Sequence, residues 1–178
     1  MQHVIVLRGA SASSREREEN IPAVVKDIIR QTIGFDDLFF DVARSKREIL
    51  RLLKLDRRLG VKRIGIFGKS WGGAQAIKAV KSYGRKVSQF DTFCLCTVDP
   101  HNWWIGDRRD AKLPRRMPIC FRAWNVFQKN RYPRGAYVHR AENEYLHDPG
   151  IDHFNITTSD QAKDVIEKAI QYMNTGEA

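Results

Sequence analysis

The sequence predicts an α/β protein: a three-layer α/β/α sandwich built on a mainly parallel sheet of about five to six strands. Three observations carry that reading. Short apolar, β-branched runs alternate along the chain with segments whose apolar residues recur at helical spacing. The runs are almost continuously apolar, as strands covered on both faces are. Between one such run and one such helix lies a serine bracketed by glycines, in RIGIFGKSWGGAQA, Arg63 to Ala76.

HVIVL, His3 to Leu7, reads as a buried strand ending at Arg8-Gly9. The helix after it places Ile21, Val24, Val25, Ile28 and Ile29 on one face, with Asn20 as N-cap. LFFDV, Leu38 to Val42, is the next strand. Ser45 and Glu48 then form a capping box for a helix that turns Ile49, Leu52 and Leu53 inward and stops at Gly60. RIGIF follows as a strand, and a helix from about Trp71 to Tyr83 stops at Gly84. TFCLCTV, Thr92 to Val98, is a strand closed by Asp99-Pro100. PICFRAWNVF, Pro118 to Phe127, and AYVHRAENEYL, Ala136 to Leu146, read as two more. Thr158 and Gln161 form a second capping box, before a final helix with Ala162, Val165, Ile166, Ala169, Ile170 and Met173 at helical spacing.

A chain of 178 residues, 42% hydrophobic, can bury a substantial core, and no linker or low-complexity block divides it. One domain, residues 1–178, is expected. No apolar run approaches the length that spans a bilayer, and the first residues lack a basic leader and a cleavage pattern. Cys94 and Cys96 lie two apart in a strand, on one face but splayed too far to pair. Reduced thiols and the absence of a leader fit a cytoplasmic protein. The 31 Lys and Arg against 21 Asp and Glu, a formal charge of +10, favour anionic partners. Much of that charge, as in RSKREILRLLKLDRR, belongs to the solvated face of an amphipathic helix, and no recognised nucleic-acid module accompanies it.

GKS suggests a phosphate-cradling loop, which requires a glycine five residues before the Gly-Lys-Ser. Arg63 holds that place, so the loop is too short. The alternative is GxSxG: Gly68, Lys69, Ser70, Trp71, Gly72. A serine on a sharp strand-to-helix turn is held in a strained conformation, glycines on either side keep the backbone clear of it, and Gly73 permits close helix-to-strand approach.

With that motif in that setting, and with this order of elements along nearly the whole length, the chain resembles the α/β-hydrolase superfamily, in particular its small serine esterases and lipases. The resemblance implies a minimal hydrolase core without a cap domain. It implies a triad in the order Ser, Asp, His. Ser70 is then the nucleophile. Asp99, in CTVDPHNWW at the end of the strand after the nucleophile helix, matches the acid position of pancreatic-type lipases, in a similar DP context. Many members carry the acid one strand later, where this chain reads NVFQKN and offers no carboxylate. Of five histidines, His153 in GIDHFNIT occupies the loop before the last helix where the family histidine belongs. His147 is the runner-up, and Asp152 a rival acid. The oxyanion hole would combine the amide of Trp71 with that of Ala10 in VLRGAS, where Arg8-Gly9 replaces the His-Gly of many lipases.

These roles imply cleavage of a carboxylic ester or related acyl bond through an acyl-enzyme, on a small-molecule substrate, with no cofactor or metal. Trp103 and Trp104 are candidates for an apolar acyl-binding wall. Arg108, Arg109, Arg115 and Arg116 nearby favour an acidic substrate or interface. Two other classes stand beside the hydrolase: a non-catalytic binding protein on the same fold, and a basic binder of nucleic acid or other anions.

Overall fold

A computed structural model of the protein describes residues 1–8, 21–34, 36–101, 111–129 and 134–177. The first strand, β1 (Gln2–Leu7), leads into α1 (Ile21–Thr32). This helix buries Ile21, Val24, Val25, Ile28 and Ile29, the stripe its spacing predicts. The Asn20 cap lies outside the described residues. Then come β2 (Leu38–Ala43), α2 (Lys46–Leu59), β3 (Arg63–Lys69) and α3 (Trp71–Tyr83). Ser45 caps α2 through the Glu48 amide at 3.3 Å, while the Glu48 carboxylate returns to the amide of Arg44, not to that of Ser45. Gly60 ends α2 in the left-handed conformation its missing side chain favours.

After a short 3-10 turn come β4 (Thr92–Val98), the two-residue β5 (Ala111–Lys112) and β6 (Phe121–Gln128). The strand expected from Pro118 starts later, because Pro118 to Cys120 form a turn closed by the Phe121 amide on the Pro118 carbonyl. The segment expected as one strand from Ala136 to Leu146 divides into β7 (Val138–His139) and β8 (Glu142–Leu146). Arg140 between them has φ 72°, which breaks an extended run. The last helix, α4 (Asp160–Thr175), is capped by Ser159 through the Ala162 amide. Thr158 is not the cap: it closes the preceding 3-10 turn by donating its hydroxyl to the Asn155 carbonyl.

Six strands form one parallel sheet in the order β2-β1-β3-β4-β6-β8, and β5 pairs with β7 apart from it. Alternation along the strands divides the core into two layers. Val4, Val6, Phe67, Cys94 and Cys96 face α1 and α4, whereas Ile5, Leu7, Ile64, Ile66 and Leu95 face α2 and α3. Each fully buried Ile or Leu contributes about 1.5–3 kcal/mol relative to exposure. Cys94 and Cys96 are free and share a face, as expected, and burial pushes both thiols up. One charge of α2 departs from the solvated-face expectation: Asp56 is buried and 2.7 Å from Nδ1 of buried His3. Among the described residues, no helix is long and apolar enough to cross a membrane, and no element forms a cap domain.

The chain runs from β1 outward to β2 and returns to β3 on the other side of β1. The crevice outside the carboxyl ends of β1 and β3 is therefore a topological switch point, where ligands collect in open α/β sheets.

Candidate active site

Ser70 follows the last residue of β3 and precedes the first of α3, with φ 55° and ψ −129°. Few non-glycine residues hold positive φ, and surrounding structure must over-determine one that does. Here the Ser70 amide donates to the Val98 carbonyl at 3.0 Å, and its own carbonyl accepts from Ala74 at 3.1 Å and from His101 at 3.0 Å. The glycines are sterically required. A Cβ at Gly68 would lie 2.8 Å from the Gly72 carbonyl oxygen, and one at Gly73 would lie 2.9 Å from that of Gly68. At Gly72 it would overlap the carbonyl oxygens of Leu7 and Arg8, at the end of β1. Trp71 opens α3, where helix geometry leaves the first amides without an intrahelical acceptor.

Asp99 follows the last residue of β4, also at positive φ (47°), and is fully buried. Its Oδ1 accepts from the Gln128 amide at 3.1 Å and its Oδ2 from the Gln128 side-chain Nε2 at 3.2 Å. Gln128 thus stands in the NVFQKN segment where the sequence offers no carboxylate, and donates to the one supplied by the neighbouring strand. Gly135 closes the other side of the cradle.

His153 is 5% exposed and links the other two residues. Its Nδ1 lies 2.6 Å from Asp99 Oδ2 and its Nε2 lies 2.8 Å from Ser70 Oγ. The tautomer with hydrogen on Nδ1 donates to the carboxylate and leaves Nε2 to accept the serine proton. The turn around His153 is shaped by Asp152, whose Oδ1 accepts from the amides of Phe154 and Asn155. Asp152, the rival acid, is thus a turn-former. His147 is exposed and packs its ring 4.1 Å from that of Tyr145.

Three features escape sequence reasoning. His101, two residues after Asp99 in the chain, presents its ring 6.3 Å from that of His153. Burial, then the adjoining His153, push its imidazole down, against a weaker upward pull from Asp99 and the Arg134 backbone. Buried Asn125 bonds Thr97 at 2.8 Å and Asn143 at 2.8 Å, tying β4, β6 and β8 together behind the Asp99 end. Lys69, inside the serine motif, is buried and donates to the Phe154 carbonyl at 2.9 Å. A charged residue in a glycine-rich turn was the one available signal for it.

Ala10, Trp103, Trp104, Arg108 and Arg109 lie outside the described residues. Arg115 lines a cleft of about 460 Å³ with Phe121, Arg122, Arg140 and Glu142. Phe121 and Glu142 begin β6 and β8, so this cleft lies at the opposite end of the sheet from Ser70. Among the described residues, no group of three or more His, Cys, Asp or Glu side chains is arranged to hold a metal ion.

No protein-family model matches the chain. No curated protein matches it in sequence either. Its likeness to solved structures is one of fold. A predicted CIB-like hydrolase from Thermoplasma acidophilum superposes with a TM-score of 0.55 at 15% identity, over 97% of this chain and 86% of the other. Est1E from Butyrivibrio proteoclasticus gives 0.55 at 11%, over 97% and 88%. A protein from Xanthomonas campestris described as an α/β serine hydrolase without lid gives 0.50 at 9%, over 96% and 81%. The chain has the α/β-hydrolase fold, with a six-stranded parallel sheet flanked by helices.

Proposed function

We propose that the protein is a serine hydrolase that cleaves a carboxylic ester or related acyl bond. The observation that carries this reading is the imidazole of His153, within hydrogen-bond reach of Ser70 Oγ on one side and Asp99 Oδ2 on the other. A serine hydroxyl is a weak nucleophile until a base takes its proton, and an imidazole needs a fixed tautomer to serve as that base.

Ser70 Oγ attacks the substrate carbonyl carbon as its proton passes to His153 Nε2. Asp99 holds the Nδ1 proton and stabilises the imidazolium. The Trp71 amide, with that of Ala10, receives the developing oxyanion. Collapse of the tetrahedral species expels the alcohol, which takes the proton from His153 and leaves an acyl group on Ser70. Water, deprotonated by the same imidazole, then releases the acid. The fold hosts many acyl chemistries, so the site, not the fold, supports this assignment.

The test is active-site labelling. A fluorophosphonate should modify Ser70 in the native protein, located by mass spectrometry, and not the denatured protein. An adduct at another serine, or hydrolysis undiminished in folded Ser70→Ala, overturns the assignment. Native protein that stays unlabelled would point instead to a binding protein on a hydrolase fold.

A further inference from the structure

We infer that Lys69 is a positioning residue that fixes the histidine-bearing turn against the nucleophile turn. The inference rests on the reading of Ser70 as nucleophile and His153 as base. Lys69 is the last residue of β3, immediately before Ser70, and points to the same sheet face as Phe67, toward α1 and α4. It is 7% exposed. An ammonium so withdrawn from water is unfavourable unless its donors meet acceptors, so a lysine here needs a compensating contact. Nζ makes one with the carbonyl of Phe154 at 2.9 Å, the residue directly after His153.

The turn carrying His153 has its own internal framework. Asp152 accepts from Phe154 and Asn155, the Asp152 amide donates to the Asn155 side chain at 2.8 Å, and the Ile156 amide donates to the Asp152 carbonyl at 3.1 Å. Those bonds give the turn its shape but not its placement relative to Ser70. Ile156, fully buried against the α4 side of the core, anchors its far end. Lys69 anchors the end nearest the reacting atoms, and it does so from the residue adjoining the serine. One side chain therefore couples the two segments whose separation sets the Ser70 Oγ to His153 Nε2 distance. The two segments are 83 residues apart in sequence. A bond donated by an ammonium to a carbonyl is charge-assisted and stronger than a neutral one, and misplacing a reacting group by about 1 Å can cost on the order of 10²-fold in rate.

The experiment compares wild type, Lys69→Met and Lys69→Arg by the rate of fluorophosphonate labelling at Ser70 and by steady-state hydrolysis of a p-nitrophenyl ester. Methionine keeps length and loses the donors, whereas arginine keeps a cation and donors. Folded Lys69→Met should label on the order of 10-fold to 100-fold more slowly, with kcat reduced and KM changed little. Lys69→Arg should recover most of the rate. Wild-type labelling rate in folded Lys69→Met overturns the inference and leaves the triad standing. If Lys69→Met does not fold, Lys69→Arg decides: folded protein with labelling near wild type supports the donor role, and labelling slowed at least about tenfold overturns it. Wild-type protein that does not label at all refutes the proposed hydrolase function instead, a separate result.

Discussion

Gly135 lies so close to Asp99 that a Cβ at position 135 would overlap the carboxylate Oδ1. The Gly135 amide is itself held by the Gln128 carbonyl at 2.9 Å, so the backbone cannot easily retreat. Gly135→Ala should therefore push Asp99 off His153. Overpacking of this kind typically costs about 1–3 kcal/mol. The expected result is a folded protein of lowered melting temperature in which the proposed hydrolase activity falls far more than stability. Unchanged activity and melting would show that the cradle yields.

Removing the charge of Asp99 tests the proposed orientation of the base. In Asp99→Asn the amide nitrogen cannot accept from Nδ1, and the favoured tautomer reverses. A loss of kcat on the order of 10³–10⁴-fold is expected, with Ser70 still present and the fold retained by circular dichroism. Gln128→Leu, which removes one donor and keeps the carboxylate, should cost much less. Equal losses in the two variants would mean that packing around β6, not the acid, is being measured.

His101 should make the protein less stable on the acid side of neutrality. Its imidazole is held below its ordinary range in the folded chain, chiefly by burial. The unfolded chain titrates near the usual histidine value of about 6.5, so below that pH it binds more protons than the folded chain. Stability is complete above this value and declines as pH falls toward the depressed folded value. Melting temperatures of wild type and His101→Gln, compared between neutral pH and about pH 5, check this. The variant should lose less on acidification, and parallel declines would contradict the prediction.

The tryptophan pair is expected to act on the substrate side. The pair comes shortly after Asp99 in the sequence, and strand carboxyl ends are where ligands gather in such sheets. Trp103→Ala and Trp104→Ala should shift preference among acyl chain lengths with little change in melting. A core tryptophan would instead cost about 3–5 kcal/mol on truncation. Early melting with an unchanged chain-length profile rules out the acyl wall.

What the sequence by itself determined is whatever short-range periodicity encodes. The apolar stripe of Ile21 to Ile29, the apolar run of Thr92 to Val98, the glycine at position 60 and the glycines bracketing Ser70 are each legible within a few residues of chain, and they suffice to predict a mainly parallel sheet and the hydrolase resemblance. The shift from Thr158 to Ser159 as cap shows the limit at that scale, since adjacent hydroxyls compete for one helix end. What only the tertiary structure decided is which distant groups meet. Motif, order and resemblance already put Ser70, Asp99 and His153 forward; beyond them, Gln128 turns its amide onto the carboxylate, Gly135 leaves room for it, Asp56 turns inward to His3, and Lys69 reaches Phe154. No local pattern marks these pairs, because each depends on strand order and on which strand end faces which turn. A buried polar group must find a partner when the sheet closes, and the fold, not the neighbouring sequence, supplies it.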